Sequence, residues 1–213
     1  MKLLSKRSTY RLNPALILLA ALLISSLALS GCGGGGTTTT PTGTQPTGTS
    51  PTTGVMDFPS GAYQNTLLLS GGIFRISWSN TDDTISIGIK AQTTGWIGMA
   101  ISPTLSKGRS DLILGAVSGG QVTLIDSYDP GYSGGHPQDA SVGGNNDLFG
   151  ISGSESGGVT TIEFKRRLDT GDQFDIPLVN GANPFLFALG PDDTMASEHS
   201  LTGAGEIAIT LTH

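Results

Sequence analysis

The ligating chemistry available to this 213-residue chain rests largely on its three histidines, His136, His199 and His213. His199 falls in Gly190-Pro191-Asp192-Asp193-Thr194-Met195-Ala196-Ser197-Glu198-His199-Ser200, which joins two strand-like runs. Imidazole is the commonest protein ligand for metals and a common axial ligand for haem iron. On a loop between core strands it can lean over the open end of a sheet, or be an ordinary polar loop residue. The histidines lack the close spacing of a zinc site. Asp129, Asp139, Asn145, Asn146 and Asp147 place oxygen donors in one loop region, a set that suits calcium. The same residue types make turns, and that reading is preferred here. Nucleophilic hydrolysis finds little support. The folded domain has no cysteine, and Gly153-Ser154-Glu155-Ser156-Gly157 lacks the strand-to-helix context of a nucleophile elbow.

The elements that must position these groups read as β-strands. Phe74, Ile76 and Trp78 alternate with Arg75 and Ser77, and after the Asn80–Asp83 turn cluster Ile85, Ile87 and Ile89 alternate again. Residues 96–101, 112–117, 121–126 and 159–166 are further strands, rich in β-formers. Long loops are expected up to Gly158, with one short strand around Leu148–Ile151. Phe185-Leu186-Phe187-Ala188-Leu189 is a continuous apolar run that suits a fully buried strand, and 206–211 alternates. Outside the N-terminal segment no apolar pattern has a helical period. The expected fold is all-β, an antiparallel β-sandwich.

The N-terminus reads as an export signal. Lys2, Lys6, Arg7 and Arg11 precede the apolar run Ala15–Leu29, too short and too N-terminal for a membrane span. It ends in Leu29-Ser30-Gly31-Cys32, which resembles the bacterial lipobox and implies lipidation of Cys32 after cleavage. Residues 1–31 are therefore expected to be a lipoprotein signal peptide, and 32–56 the lipidated cysteine followed by a Gly/Thr/Pro-rich linker. That linker has too little apolar surface to offset its ordering entropy. Residues 57–213 are expected to form the folded domain. The expected location is the cell envelope, outside the cytoplasm, with membrane contact through the lipid anchor. As the sole cysteine, Cys32 excludes an intramolecular disulfide. With four of the 11 Lys and Arg in the signal, seven face 17 Asp and Glu, a formal charge of −10. This argues against nucleic acid or an anionic membrane surface as partner.

Three stretches carry a family resemblance. Gly95-Trp96-Ile97-Gly98-Met99-Ala100-Ile101-Ser102-Pro103 is similar to the Gly-Trp-hydrophobic-Gly strand of DOMON domains. Ser110-Asp111-Leu112-Ile113-Leu114-Gly115 is similar to their small-Asp-hydrophobic strand start, and Ala188 to Gly203 to their closing Gly…His…Gly segment. Together they cover nearly the whole domain. The chain thus resembles the β-sandwich family shared by cellobiose dehydrogenase cytochromes and the regulatory part of dopamine β-hydroxylase, in particular its secreted bacterial and archaeal members.

The resemblance implies either of two uses of one pocket. Some members hold b-type haem with axial Met and His; others are thought to bind sugars or other ligands. His199 falls on the family's axial histidine. The family's axial methionine stands just before the small-Asp motif, where this chain has Leu105-Ser106-Lys107-Gly108-Arg109. Lys107 is nearest the aligned position, and lysine is an axial ligand in a related haem domain. Met99 and Met195 are the other thioether candidates, although the parity Met99 shares with Ile97 and Ile101 equally places it in the core. The leading expectation is a haem b domain that passes electrons to a redox partner protein and catalyses no reaction of its own. Its cleft would be lined by Trp96–Ile101 and Phe185–Leu189. The alternative is a carbohydrate or small-ligand binding module with Trp96 or Trp78 as a stacking surface, and a third reading is a structural or adhesive surface lipoprotein.

Overall fold

A computed structural model of the chain describes residues 57–106, 108–131 and 135–212. The signal, the linker, Cys32 and Lys107 lie outside the described residues. Ten strands form two five-stranded sheets: β1 (Asn65–Leu69), β2 (Phe74–Asn80), β3 (Thr84–Ala91), β4 (Ile97–Ile101), β5 (Asp111–Ser118), β6 (Gln121–Tyr128), β7 (Phe149–Ser156), β8 (Val159–Arg167), β9 (Gly181–Leu189) and β10 (Leu201–Ile209). One sheet has the order β1-β2-β3-β8-β7, the other β10-β9-β4-β5-β6. Every pairing is antiparallel. The expected all-β antiparallel sandwich is the observed architecture.

The alternation that marks the strands also decides what faces what. Phe74, Ile76, Ile87, Ile89, Ile162 and Phe164 from one sheet meet Ile97, Ile101, Ile113, Phe185 and Phe187 from the other, all buried in one apolar cluster. Phe74 and Phe187 stack across the layers, centroids 4.0 Å apart and planes 16° from parallel. Trp78 belongs to the same layer and donates from Nε1 to the Ala208 carbonyl at 2.8 Å.

The strands at the edges depart from expectation. β1 was not anticipated, since three consecutive leucines show no alternation; it is largely exposed and held by its ladder to β2. β7 runs well beyond the short strand expected near Leu148–Ile151. It is almost wholly exposed and carries a register shift between Phe149 and Ser152, the irregularity that commonly blunts an open edge. A four-residue helix, α1 (Asp139–Val142), interrupts the expected loop. β9 starts earlier than its apolar run and contains Pro184. Proline is tolerated there because β4 pairs β9 only from Phe185 onward, so no ladder bond to β4 needs the missing N–H.

Truncation of the inter-sheet stack measures its weight. Phe187→Ala removes one ring of the Phe74 pair from the centre of the layer and is expected to cost about 3–5 kcal/mol. Urea denaturation followed by intrinsic fluorescence should show a lower midpoint with little change in slope.

Candidate functional site

The second sheet is apolar on both faces. In β4, Ile97, Met99 and Ile101 point to the inter-sheet layer, and Gly98 and Ala100, with Trp96 just before the strand, to the opposite face. Leu112, Leu114 and Ala116 of β5 join this outer face, with Ile125, Leu186, Ala188 and Met195 packed against it. Cross-strand register sets small residues side by side: Gly98 opposes Ala188, which opposes Thr202, and one pleat along Ala100 opposes Leu186, which opposes Ala204. The floor is low where Gly98, Ala100, Ala188 and Ala204 stand and high at Trp96, Leu112 and Leu114. The result is a cavity of about 950 Å³, lined mainly by apolar side chains. That lies in the range of small-molecule and cofactor sites.

Two loops wall this trough. The segment 190–200 leaves β9 and crosses the start of β4: Trp96 N donates to the Asp192 carbonyl at 2.9 Å and Gly190 N to the Trp96 carbonyl at 2.7 Å. The crossing requires glycine at 95, where a Cβ would lie 2.4 Å from the Gly190 oxygen and 2.6 Å from the Asp192 nitrogen. It requires glycine at 190 as well, where a Cβ would meet the Trp96 indole at 2.1 Å. Asp192 then accepts from Thr194 N at 2.8 Å and Ser197 Oγ at 3.0 Å, closing a compact turn. Ser200 N reaches the Leu189 carbonyl at 2.8 Å and returns the chain to β10. Met195, Glu198 and His199 thereby line the cavity.

The other wall follows β6. Ser127 Oγ donates to the carbonyls of His136 and Pro137 at 2.9 and 2.7 Å, and Gln138 bridges to Ser127. His136 is thus held at the edge of the sheet and lines the same cavity. Two imidazoles, from loops beside opposite edge strands, border one apolar trough. Trp96 Nε1 is buried beside it without an acceptor.

The site residues expected from the sequence separate on this geometry. His199 and Trp96 line the cavity. Met99 does not: it is 1% exposed in the inter-sheet layer, on the face of β4 turned away from the trough. Strand parity overrides its candidacy. Met195 is the methionine at the cavity. The wall contributed by Phe185–Leu189 is its alternate residues, chiefly Leu186 and Ala188, since Phe185 is part of the inter-sheet cluster. Trp78 is sealed in that layer and Trp96 is only 5% exposed, so neither presents an open stacking face. His136 was missed as a site residue, because its placement depends on a loop docking against β6 and leaves no local pattern.

Residues 70–190, more than half of the chain, match the family model described as "DOMON domain". The chain is 30% identical over 121 residues to MOXD1 homolog 2 of Drosophila melanogaster, a stretch that is 56% of this chain and 16% of that protein. It is 25% identical over 136 residues to mouse (Mus musculus) DBH-like monooxygenase protein 1, covering 63% of this chain and 21% of that one. It therefore spans only about a fifth of the length of these relatives. Among solved structures, the cytochrome domain of Myriococcum thermophilum cellobiose dehydrogenase superposes with a TM-score of 0.52 at 14% identity, over 68% of this chain and 82% of that one. This likeness shows a shared fold.

The glycine crossing is testable apart from any ligand. Gly95→Ala places a methyl group against backbone and should push the 190–200 segment off the sheet. Hydrogen exchange should speed up across 190–200 while β2 and β3 keep their protection; unchanged exchange would exclude this anchoring role.

Proposed function

We propose that this chain, which belongs to the DOMON family, binds b-type haem in the outer-face trough and serves as an electron-transfer domain. The observation that carries the reading is the pairing of His199 and His136 on one apolar cavity. The lining fits the group. A wide trough floored by glycine and alanine suits a flat apolar macrocycle. Gln138, Ser197 and Glu198 add polar side chains to the lining. The imidazole nitrogens of His199 and His136 would hold the haem iron. The cytochrome domain that shares this fold adds support. When bound, haem supplies one-electron redox chemistry.

The chain's own residues hold and shield. Leu112, Leu114, Leu186 and Met195 give the trough apolar walls, and displacement of water by a bound group would strengthen each polar contact inside. The Asp192 turn fixes the loop bearing His199, and Ser127 fixes the backbone at His136. The excess of acidic residues suits a basic redox partner protein. A carbohydrate-binding use finds less support, since both tryptophans lie buried. Lipidation at Cys32, with residence in the cell envelope, completes the proposal.

Absorption spectroscopy of the purified full chain, produced with haem available, tests the cofactor. The expected result is a Soret band with sharp α and β bands on dithionite reduction. His199→Ala should abolish the low-spin spectrum, and His136→Ala should convert it to high-spin. Lys107→Ala and Met99→Ala should leave it unchanged. A folded protein that shows no Soret band and takes up no added haemin would end the cytochrome reading. For the anchor, Cys32→Ser should move the protein from the membrane to the soluble fraction and abolish labelling by a fatty-acid probe.

A further inference from the structure

At one end of the inter-sheet layer, four buried carboxylates gather with one buried cation, Arg166. Asp111 opens β5, Asp126 lies on β6 and Asp175 follows β8; Asp139 opens α1 and Asp147 precedes β7. Asp111, Asp126, Asp139 and Asp175 are all buried, Asp111 and Asp139 completely. Arg166, 1% exposed, forms an ion pair with Asp111 and reaches Asp175 at 3.5 Å. The Ile176 amide donates to Asp111 Oδ2 at 3.2 Å and the Asp147 amide to Asp126 Oδ2 at 2.7 Å. These bonds satisfy one oxygen on each of Asp111, Asp126 and Asp175.

The remaining oxygens have no protein partner. Asp111 Oδ1, Asp126 Oδ1 and Asp175 Oδ1 are buried without a hydrogen bond. So are both oxygens of Asp139, a fully buried side chain that feels the charges of Asp126, Asp175 and Asp111. Buried carboxylates are normally paired or bound to metal, because an uncompensated charge in the interior costs several kcal/mol. One arginine cannot neutralise this group. The group lacks positive charge.

One carboxylate oxygen from each of Asp111, Asp126 and Asp175 lies within 4.8 Å of the others. An ion that takes oxygen ligands at 2.3–2.6 Å spans such a set, and calcium does so with flexible geometry. Magnesium requires about 2.0–2.1 Å in a near-ideal octahedron and sheds water reluctantly, which suits a buried all-carboxylate pocket less well. We propose that Asp111, Asp126 and Asp175 bind a structural calcium ion at this end of the sandwich, with Asp139 beside them. The ion would tie β5 and β6 of one sheet to the segment after β8 of the other. The residues face the inter-sheet layer, so the inference is independent of haem in the outer trough. The loop residues suggested by the sequence divide accordingly. Asp129 accepts from Gly131 N and Asn146 from Leu148 N as turn makers, whereas Asp139 joins the carboxylate group.

Thermal melts and calorimetry of the purified full chain test the site, using calcium alone as probe after stripping with a chelator. At about a hundredfold excess over Kd, calcium should raise the melting temperature by about 5–10 °C, and calorimetry should give one site per chain. Asp126→Asn should weaken calcium binding at least tenfold and remove the thermal rise, yet melt no lower than the parent in chelator, since it deletes a buried charge. Asp139→Asn should weaken binding in the same sense. Identical melts of the parent in calcium and chelator, with no heat of binding, would overturn the proposal and leave protonated carboxyls as the neutralising device. An equal response to magnesium would overturn the calcium assignment. Binding that survives both substitutions would place the ion elsewhere and overturn the site.

Discussion

The two-residue period of β4 is the constraint from which the rest of the molecule follows. Five consecutive buried residues pass through the middle of the second sheet, and strict alternation divides their side chains between two interiors. Ile97, Met99 and Ile101 help to close the sandwich. Gly98 and Ala100, with Trp96 just before the strand, begin a separate apolar surface that the sandwich does not cover. A one-residue slip would exchange the two sets, place glycine and alanine in the core and turn Met99 into the trough. The inner layer is what prevents this, because Met99 and Phe187 are register partners and both are sealed there.

Coverage of the outer surface falls to loops, which hold position by backbone contact rather than bulk. The crossing of Gly95 by the Gly190–Asp192 segment brings two backbones closer than any side chain permits. This gives a physical reason for a glycine immediately before the tryptophan. At the other wall, a single serine hydroxyl shared between two successive carbonyls holds the approach of the His136 loop to β6. Both histidine-bearing segments thus depend on the sheet for their position.

Much of this was legible in the chain, and the omissions have common causes. β2, β3 and β8 announce themselves because their β-branched and aromatic residues alternate over a two-sided environment. β1 and most of β7 do not, because an exposed edge strand is held by ladder hydrogen bonds that leave no trace in residue type. His199 could be singled out because its motif lies on one continuous segment. His136 could not, since nothing near it in sequence reports its contact with β6. The carboxylate group was still less accessible: Asp111, Asp126, Arg166 and Asp175 come from separate parts of the chain and meet only when the two sheets close. Asp139 looked like a turn residue beside Asn145 and Asn146, and only its burial distinguishes it.

The low floor of Gly98, Ala100, Ala188 and Ala204 has a thermodynamic consequence whatever molecule fills it. Small side chains there leave the flanks of Leu112, Leu114 and Leu186 facing the cavity instead of one another. An occupant removes that apolar surface from water, so its binding carries a negative heat-capacity change. The enthalpy and entropy of binding must then vary with temperature, and the affinity follows a curve rather than a straight van't Hoff line. The same hydration physics bends the stability profile of the folded domain, so retention of the ligand and of the fold respond to warming through a shared cause.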